Sequence, residues 1–304
     1  MTVSTGSTPG DGSTPGEGST PGDGSTRFGS RLRAAMDDRG PLCAGIDPHA
    51  GLLTAWGLPD TVAGLEQFAL IAAEALGPEV AAVKPQSAFF ERFGARGVAV
   101  LERTITACRE AGALVVLDVK RGDIGSTAQA YADAYLDPAS PIAADAITAS
   151  PFLGFGSLAP MIDAARKHDG GVFVLALTSN PEGPQFQHAI AADGRSVAAT
   201  VLDSLREANG PLDPGGLGSF GAVVGATIGQ ADVHLDIGGP LLVPGIGAQG
   251  GTADDVRRIF GDSLDLVLPS SSREILAEGP DAAGLNAAVE RALESFEALR
   301  GGSR

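Results

Sequence analysis

The stretch VLDVKRGDIG, residues 116–125, decides how the rest of the chain reads. Ala113–Leu117 is an apolar run with the length of a buried β-strand. Asp118, Lys120, Arg121 and Asp123 follow at once. Asp118 and Lys120 are two apart, so on a strand they share a face. An unpaired buried charge is costly, so these groups must pair with each other or with a ligand. A structural salt-bridge network and a functional site both meet that requirement, and the motif alone does not choose between them.

The flanking sequence repeats the pattern. Short apolar runs fall at Leu42–Ile46, Val80–Val83, Ala144–Thr148, Val172–Ala176, Ala222–Gly225, Pro240–Val243 and Asp265–Leu268. Amphipathic, helix-like stretches lie between them, at Val62–Leu76, Gly97–Ala111, Ser126–Leu136, Leu158–His168, Ser196–Asn209 and Ala253–Ile259, and a last helix is expected at Ala282–Leu299. Such alternation predicts an α/β fold with a parallel sheet and helical crossovers. Eight strands favour a closed (β/α)8 TIM barrel, with a doubly wound open sheet as the alternative. The connection from the fifth strand to the sixth is long and contains TSNPEGPQFQ, residues 178–187, readable as a lid or as a surface excursion.

In a barrel all carboxyl ends of strands meet at one face, where active sites sit. Asp47 closes the first strand in GIDPH, Lys84 the second in AVKPQ and Ser150 the fourth in TASPF. The seventh runs into PGIGAQGG and the eighth into PSSSR. Polar groups at six strand ends on one side point to a functional site. GIGAQG, Gly245–Gly250, has the G-x-G-x-x-G form, but Asp265 lies at the wrong end of the next strand for a dinucleotide site. A single phosphate monoester, with Arg273 as its charged partner, suits the loop better. A glycine-rich turn beside a surface arginine is the alternative.

Composition bounds the rest. The 304 residues are 43% hydrophobic and 19% charged, with formal net charge −16. That acidity disfavours nucleic acid and anionic membranes as partners. Cys43 and Cys108 both fall in predicted core segments, which suits a reducing compartment. No signal peptide or membrane-spanning run is visible, so a soluble cytoplasmic protein is expected. Residues 1–26 repeat a unit of Gly, Ser, Thr, Pro and one acid, and are expected to form a disordered tail before a single globular domain at 27–304. The histidines His49, His168, His188 and His234 show no metal-ligand spacing.

Taken together, these motifs resemble the orotidine 5'-phosphate decarboxylase family. Asp118, Lys120 and Asp123 match its D-x-K-x-x-D. AAVKPQSAFFERFG, DVKRGDIGSTA, TSNPEG, VPGIGAQGG and SSSR look like its bacterial type 2 branch. The resemblance implies decarboxylation of orotidine 5'-monophosphate to uridine 5'-monophosphate, without cofactor or metal. It implies a homodimer in which each site borrows the aspartate matching Asp123 from the other barrel. Asp47, Lys84 and Thr127 match positions that contact the ribose or order the charged array. Ser150 matches a pyrimidine contact. Gln249 and Arg273 match the phosphate grip, with Gly247 in its loop. Two other readings are a Mg-dependent sugar-phosphate lyase of the same superfamily and a non-catalytic nucleotide-binding barrel. Lys84 stands where the lyase would want an additional acid.

Overall fold

The computed structural model describes Met1 and residues 27–228, 233–245 and 253–300. Eight parallel strands close into a barrel in sequence order. They are β1 (Cys43–Ile46), β2 (Ala82–Pro85), β3 (Leu114–Arg121), β4 (Ala146–Ala149), β5 (Gly171–Leu177), β6 (Phe220–Val224), β7 (Leu241–Pro244) and β8 (Val267–Ser271). β1 pairs with β8 through Cys43–Ser270 and Ala44–Ser271, which closes the ring. The barrel expectation holds and the open sheet is excluded.

Helix α1 (Phe28–Arg39) precedes β1; α2 (Ala50–Ala55) and α3 (Val62–Leu76) join β1 to β2, and α4 (Ser87–Glu91) and α5 (Ala95–Glu110) join β2 to β3. Then come α6 (Gly125–Leu136), α7 (Ala159–Lys167), α8 (Gly183–Gln187), α9 (Val197–Asn209) and α10 (Ala253–Phe260). Finally α11 (Arg273–Leu276) and α12 (Ala282–Arg300) follow β8. Thr61 and Ser196 start α3 and α9 by accepting the amides of Gly64 and Ala199, donors that a first helical turn otherwise leaves unpaired.

The period of two along each strand separates two cores. Ala44, Ile46, Val83, Val115, Leu117, Ile147, Val172 and Val174 face outward and pack with the helices. Cys43, Ala82, Val116, Ala146, Phe173, Val223, Leu242 and Leu268 face inward and form a second cluster with Phe28, Leu32, Ala35 and Met36 of α1. Helix α1 thus plugs the amino end of the barrel. Phe28 meets Phe173 edge-on, ring centroids 5.9 Å apart. Gly171 leaves room for it, since a β-carbon there would lie 2.3 Å from the Phe28 ring. Arg31 fastens the same helix to Asp145 at 2.6 Å. The sequence pattern alone did not mark α1 as a plug.

The expected tail, residues 1–26, lies outside the described residues apart from Met1. Both cysteines are buried and unpaired. Among the described residues no helix is long and apolar enough to cross a membrane.

Candidate active site at the carboxyl face of the barrel

One step along each strand from the inward apolar layer, the same alternation brings polar groups together. Val116 is followed at the inward position by Asp118, Ala82 by Lys84, Ala146 by Thr148 and Leu268 by Ser270. Lys84, Asp118, Thr148 and Ser270 are all buried. These are the polar residues of a packed barrel interior, and they must satisfy one another.

Asp118 is the hub. Its Oδ2 accepts from Lys84 Nζ at 3.2 Å, and its Oδ1 accepts from Lys120 Nζ at 2.6 Å and from the Thr148 hydroxyl at 2.7 Å. Burial alone would raise the Asp118 pKa. The charges of Lys84 and Lys120, with the hydrogen bonds from Lys120 and Thr148, outweigh it and hold the carboxyl at about 2. Burial likewise opposes the Lys84 ammonium, but Asp47 and Asp118 overcome it and keep that group charged beyond the usual lysine range. Beneath them, burial pushes the Cys43 thiol up to about 12.

Lys120 differs from Lys84. Its side chain is 45% exposed, so its ammonium is tethered at one side and open to the mouth at the other. Its backbone has φ +47°, a left-handed conformation that a side-chain-bearing residue rarely adopts. The β3–β4 register explains this. Leu117 pairs with Ile147 and Arg121 with Ala149, so Asp118, Val119 and Lys120 bulge opposite Thr148 alone. Simple strand alternation predicted that Asp118 and Lys120 meet. They do, but across a bulge.

The next residues anchor the bulge. The Arg121 guanidinium pairs with Glu91, which also accepts from Ser87, and lies 5.8 Å from the Tyr131 ring centre. The Ser150 amide donates to the Arg121 carbonyl at 2.8 Å. Gly122 must lack a side chain, because a β-carbon there would sit 2.3 Å from the Ser150 carbonyl oxygen.

The other expected site residues divide into three groups. Asp47 and Arg273 lie at the same mouth. Asp47 Oδ1 and the hydroxyls of Ser271 and Ser272 are buried without a hydrogen-bond partner among the described residues. β1 and β8 are neighbours, and Ser272 stands against Gly45 of β1, two residues before Asp47. His49 packs on Phe89, ring centroids 4.1 Å apart, and burial together with Arg273 and Arg92 lowers its pKa against the pull of Asp47. Among the described residues, a second group forms no hydrogen bond or ion pair with the array. Asp123 Oδ1 accepts from the Ile124 amide at 2.8 Å, and Thr127 is exposed in the first turn of α6. Ser150 stands at the carboxyl end of β4, tied to Arg121 through its amide. The third group, Gly247 and Gln249, lies outside the described residues.

Thr148 and Gln86 were missed by sequence reasoning. Gln86 makes two long contacts of 3.5 Å, to the Asp118 carbonyl and to Lys120 Nζ. The signal for both was present, since Gln86 is two residues from Lys84 and Thr148 two from Ser150.

Among the described residues no group of three or more His, Cys, Asp or Glu side chains is placed to hold a metal ion. A cavity of about 410 Å³ opens at the opposite end of the barrel, beside Arg27, Arg166, Asn209 and Phe220. None of the charged strand-end residues lines it, so its volume does not mark the chemistry.

Comparison with known proteins shows which family the chain belongs to. The family model described as "Orotidine 5'-phosphate decarboxylase / HUMPS family" matches residues 40–287. An orotidine 5'-phosphate decarboxylase of Nocardioides sp. is 67% identical over 258 residues, which is 84% of this chain and 93% of the relative. The enzyme of that name from Streptomyces coelicolor is 59% identical over 265 residues, 87% of this chain and 95% of the relative. A crystal structure from Streptomyces avermitilis superposes with TM-score 0.87 at 58% identity, covering 90% of this chain and 95% of that one. The structure of Leishmania donovani OMP decarboxylase gives TM-score 0.69 at 32% identity, covering 91% and 100%. The chain belongs to the orotidine 5'-phosphate decarboxylase / HUMPS family.

Proposed function

We propose that this chain decarboxylates orotidine 5'-phosphate to uridine 5'-phosphate and carbon dioxide in pyrimidine biosynthesis, with Lys120 as the proton donor. The observation that carries the residue assignment is the buried Asp118 carboxylate holding two ammonium groups, one of them open to the mouth. Breaking the bond between the ring and its carboxylate leaves an electron pair on C6 of the pyrimidine. Catalysis requires that this anion be favoured over the starting carboxylate. A fixed ammonium in a partly dry site does so without having to reorganise. Lys120 then gives a proton to C6: its N–H bond breaks, the C–H bond forms, carbon dioxide departs and the amine regains a proton from water. Asp118 holds Lys120 in position through Oδ1, and Lys84 fixes the other oxygen of that carboxylate.

Arg273, with Gly247 and Gln249, is assigned to the phosphate. Asp47 and Thr127 are assigned to the ribose end and Ser150 to the pyrimidine. The unsatisfied oxygens of Asp47 and Ser272 support a polar ligand at this mouth. Binding energy from the remote phosphate can then be used to order the site around the ring.

A homodimer completes this reading. Asp123 does not reach Lys120 within one chain, while Ile124 beside it is 62% exposed and Phe152 and Leu153 after β4 are 69% and 50% exposed. A second copy covering these apolar side chains removes them from water and can deliver its own Asp123 to the array. An acidic protein acting on a small metabolite fits the cytoplasm.

The test is turnover of orotidine 5'-phosphate, followed by ultraviolet absorbance with and without EDTA. Wild type is expected to be active in both. Lys120→Ala is expected to fold and to lose nearly all activity; full activity in that variant defeats the assignment.

A further inference from the structure

We infer that Thr148 is a positioning residue for the decarboxylation, its hydroxyl locking the Lys120 backbone and the Asp118 carboxylate into one rigid unit. This rests on the assignment of Lys120 and Asp118 to the reaction. Thr148 is 1% exposed and faces the barrel interior from β4. Its Oγ1 accepts from the Lys120 amide at 2.9 Å and donates to Asp118 Oδ1 at 2.7 Å. A hydroxyl has one proton and two lone pairs, so both bonds are made at once without conflict.

The place of this residue in the sheet explains why a hydroxyl stands there. Three residues of β3 oppose Thr148 alone, so the parallel ladder is broken over the bulge. The Lys120 amide, freed from the ladder, would be left without an acceptor on a half-buried strand end. Thr148 supplies the acceptor from its side chain. It thereby holds Lys120 at φ +47°, a conformation that persists only where surroundings impose it. The same hydroxyl proton fixes which carboxylate oxygen of Asp118 faces Lys120. Threonine is suited to the task because its branched β-carbon restricts χ1. Without the hydroxyl the bulge can relax, and the ammonium of Lys120 loses its aim while the binding groups at Asp47 and Arg273 stay in place.

The test compares Thr148→Val, which keeps shape and loses the hydroxyl, with Thr148→Ser, which keeps the hydroxyl, using purified full-length protein and orotidine 5'-phosphate. Thr148→Val is expected to lower kcat about tenfold or more, because small misplacements of a catalytic group are costly. KM is expected to stay within about threefold, since ground-state binding is untouched. Thr148→Ser is expected to recover most of kcat. If Thr148→Val does not fold, Thr148→Ala replaces it, and serine is expected to exceed alanine by about tenfold in kcat. A kcat for Thr148→Val within about twofold of wild type, or equal impairment of the variants with and without a hydroxyl, overturns the inference. Lys120→Ala measured alongside separates the two readings. If it is active, the site assignment has failed; if it is inactive while Thr148→Val is active, only the role of Thr148 has failed.

Discussion

Replacing Asp118 by Asn removes the charge that joins Lys84, Lys120 and Thr148 while keeping its shape. In the folded protein this carboxyl has a pKa of about 2 against an ordinary 3.8. That depression corresponds to about 2 kcal/mol of stability at neutral pH. The sign follows from the direction of the shift. A depressed carboxyl stabilises the fold above its unfolded pKa, and that contribution is lost as pH falls from about 4 towards 2. At pH 3 about half of it remains. Breaking a buried pair from one side costs about 3–5 kcal/mol when the remaining charge is stranded. Here Lys84 retains Asp47 and Lys120 can turn to water, so the lower end applies. Urea unfolding of wild type and Asp118→Asn at pH 7 and pH 3 measures the gap. Wild type is expected to be more stable by about 2–3 kcal/mol at pH 7, with the gap narrowing by about 1 kcal/mol at pH 3. A gap that does not change with pH refutes the reasoning, because Asp118 would then not be an ionised hub.

Three further outcomes are expected. Phe28→Ala should cost about 3–5 kcal/mol by emptying the inner core, measured by urea unfolding, while kcat under native conditions stays near wild type because α1 lies at the opposite end from the charged array. Mixing Asp123→Asn with Lys120→Ala chains should restore activity that neither variant has alone, to about a quarter of wild type after subunit exchange, since half of the dimers are mixed and each then has one complete site. No recovery would show that Asp123 does not act across two chains. Cys43, buried and with its thiol held at about 12, should resist iodoacetamide at pH 8 in the native protein and react on unfolding, as read by mass spectrometry.

The architecture was legible because it is written in local periods. Apolar runs such as Ala113–Leu117 alternate with amphipathic segments such as Val62–Leu76, and the runs overlap the observed strands, with ends shifted by a few residues. The carboxyl-terminal placement of Asp47, Lys84, Asp118 and Arg273 was readable for the same reason, since chain direction and strand ends are properties of sequence order. The β2, β7 and β8 ends were placed too early, because Pro85, Pro244 and Pro269 look like breakers yet remain in the sheet. The α1 plug was hidden because the apolar period of Phe28, Leu32, Ala35 and Met36 marks a buried helix face without saying what it covers.

What the sequence by itself determined is therefore the barrel and the face on which polar groups gather, because side-chain periodicity and chain direction are local. Only the tertiary structure decided which of those groups touch. Lys84 and Asp118 are 34 residues apart and Asp118 and Thr148 are 30 apart. Their contacts depend on how neighbouring strands slide into register around a closed ring. The bulge that turns Lys120 towards Asp118 is itself a register shift between β3 and β4, so it exists only once both strands are paired.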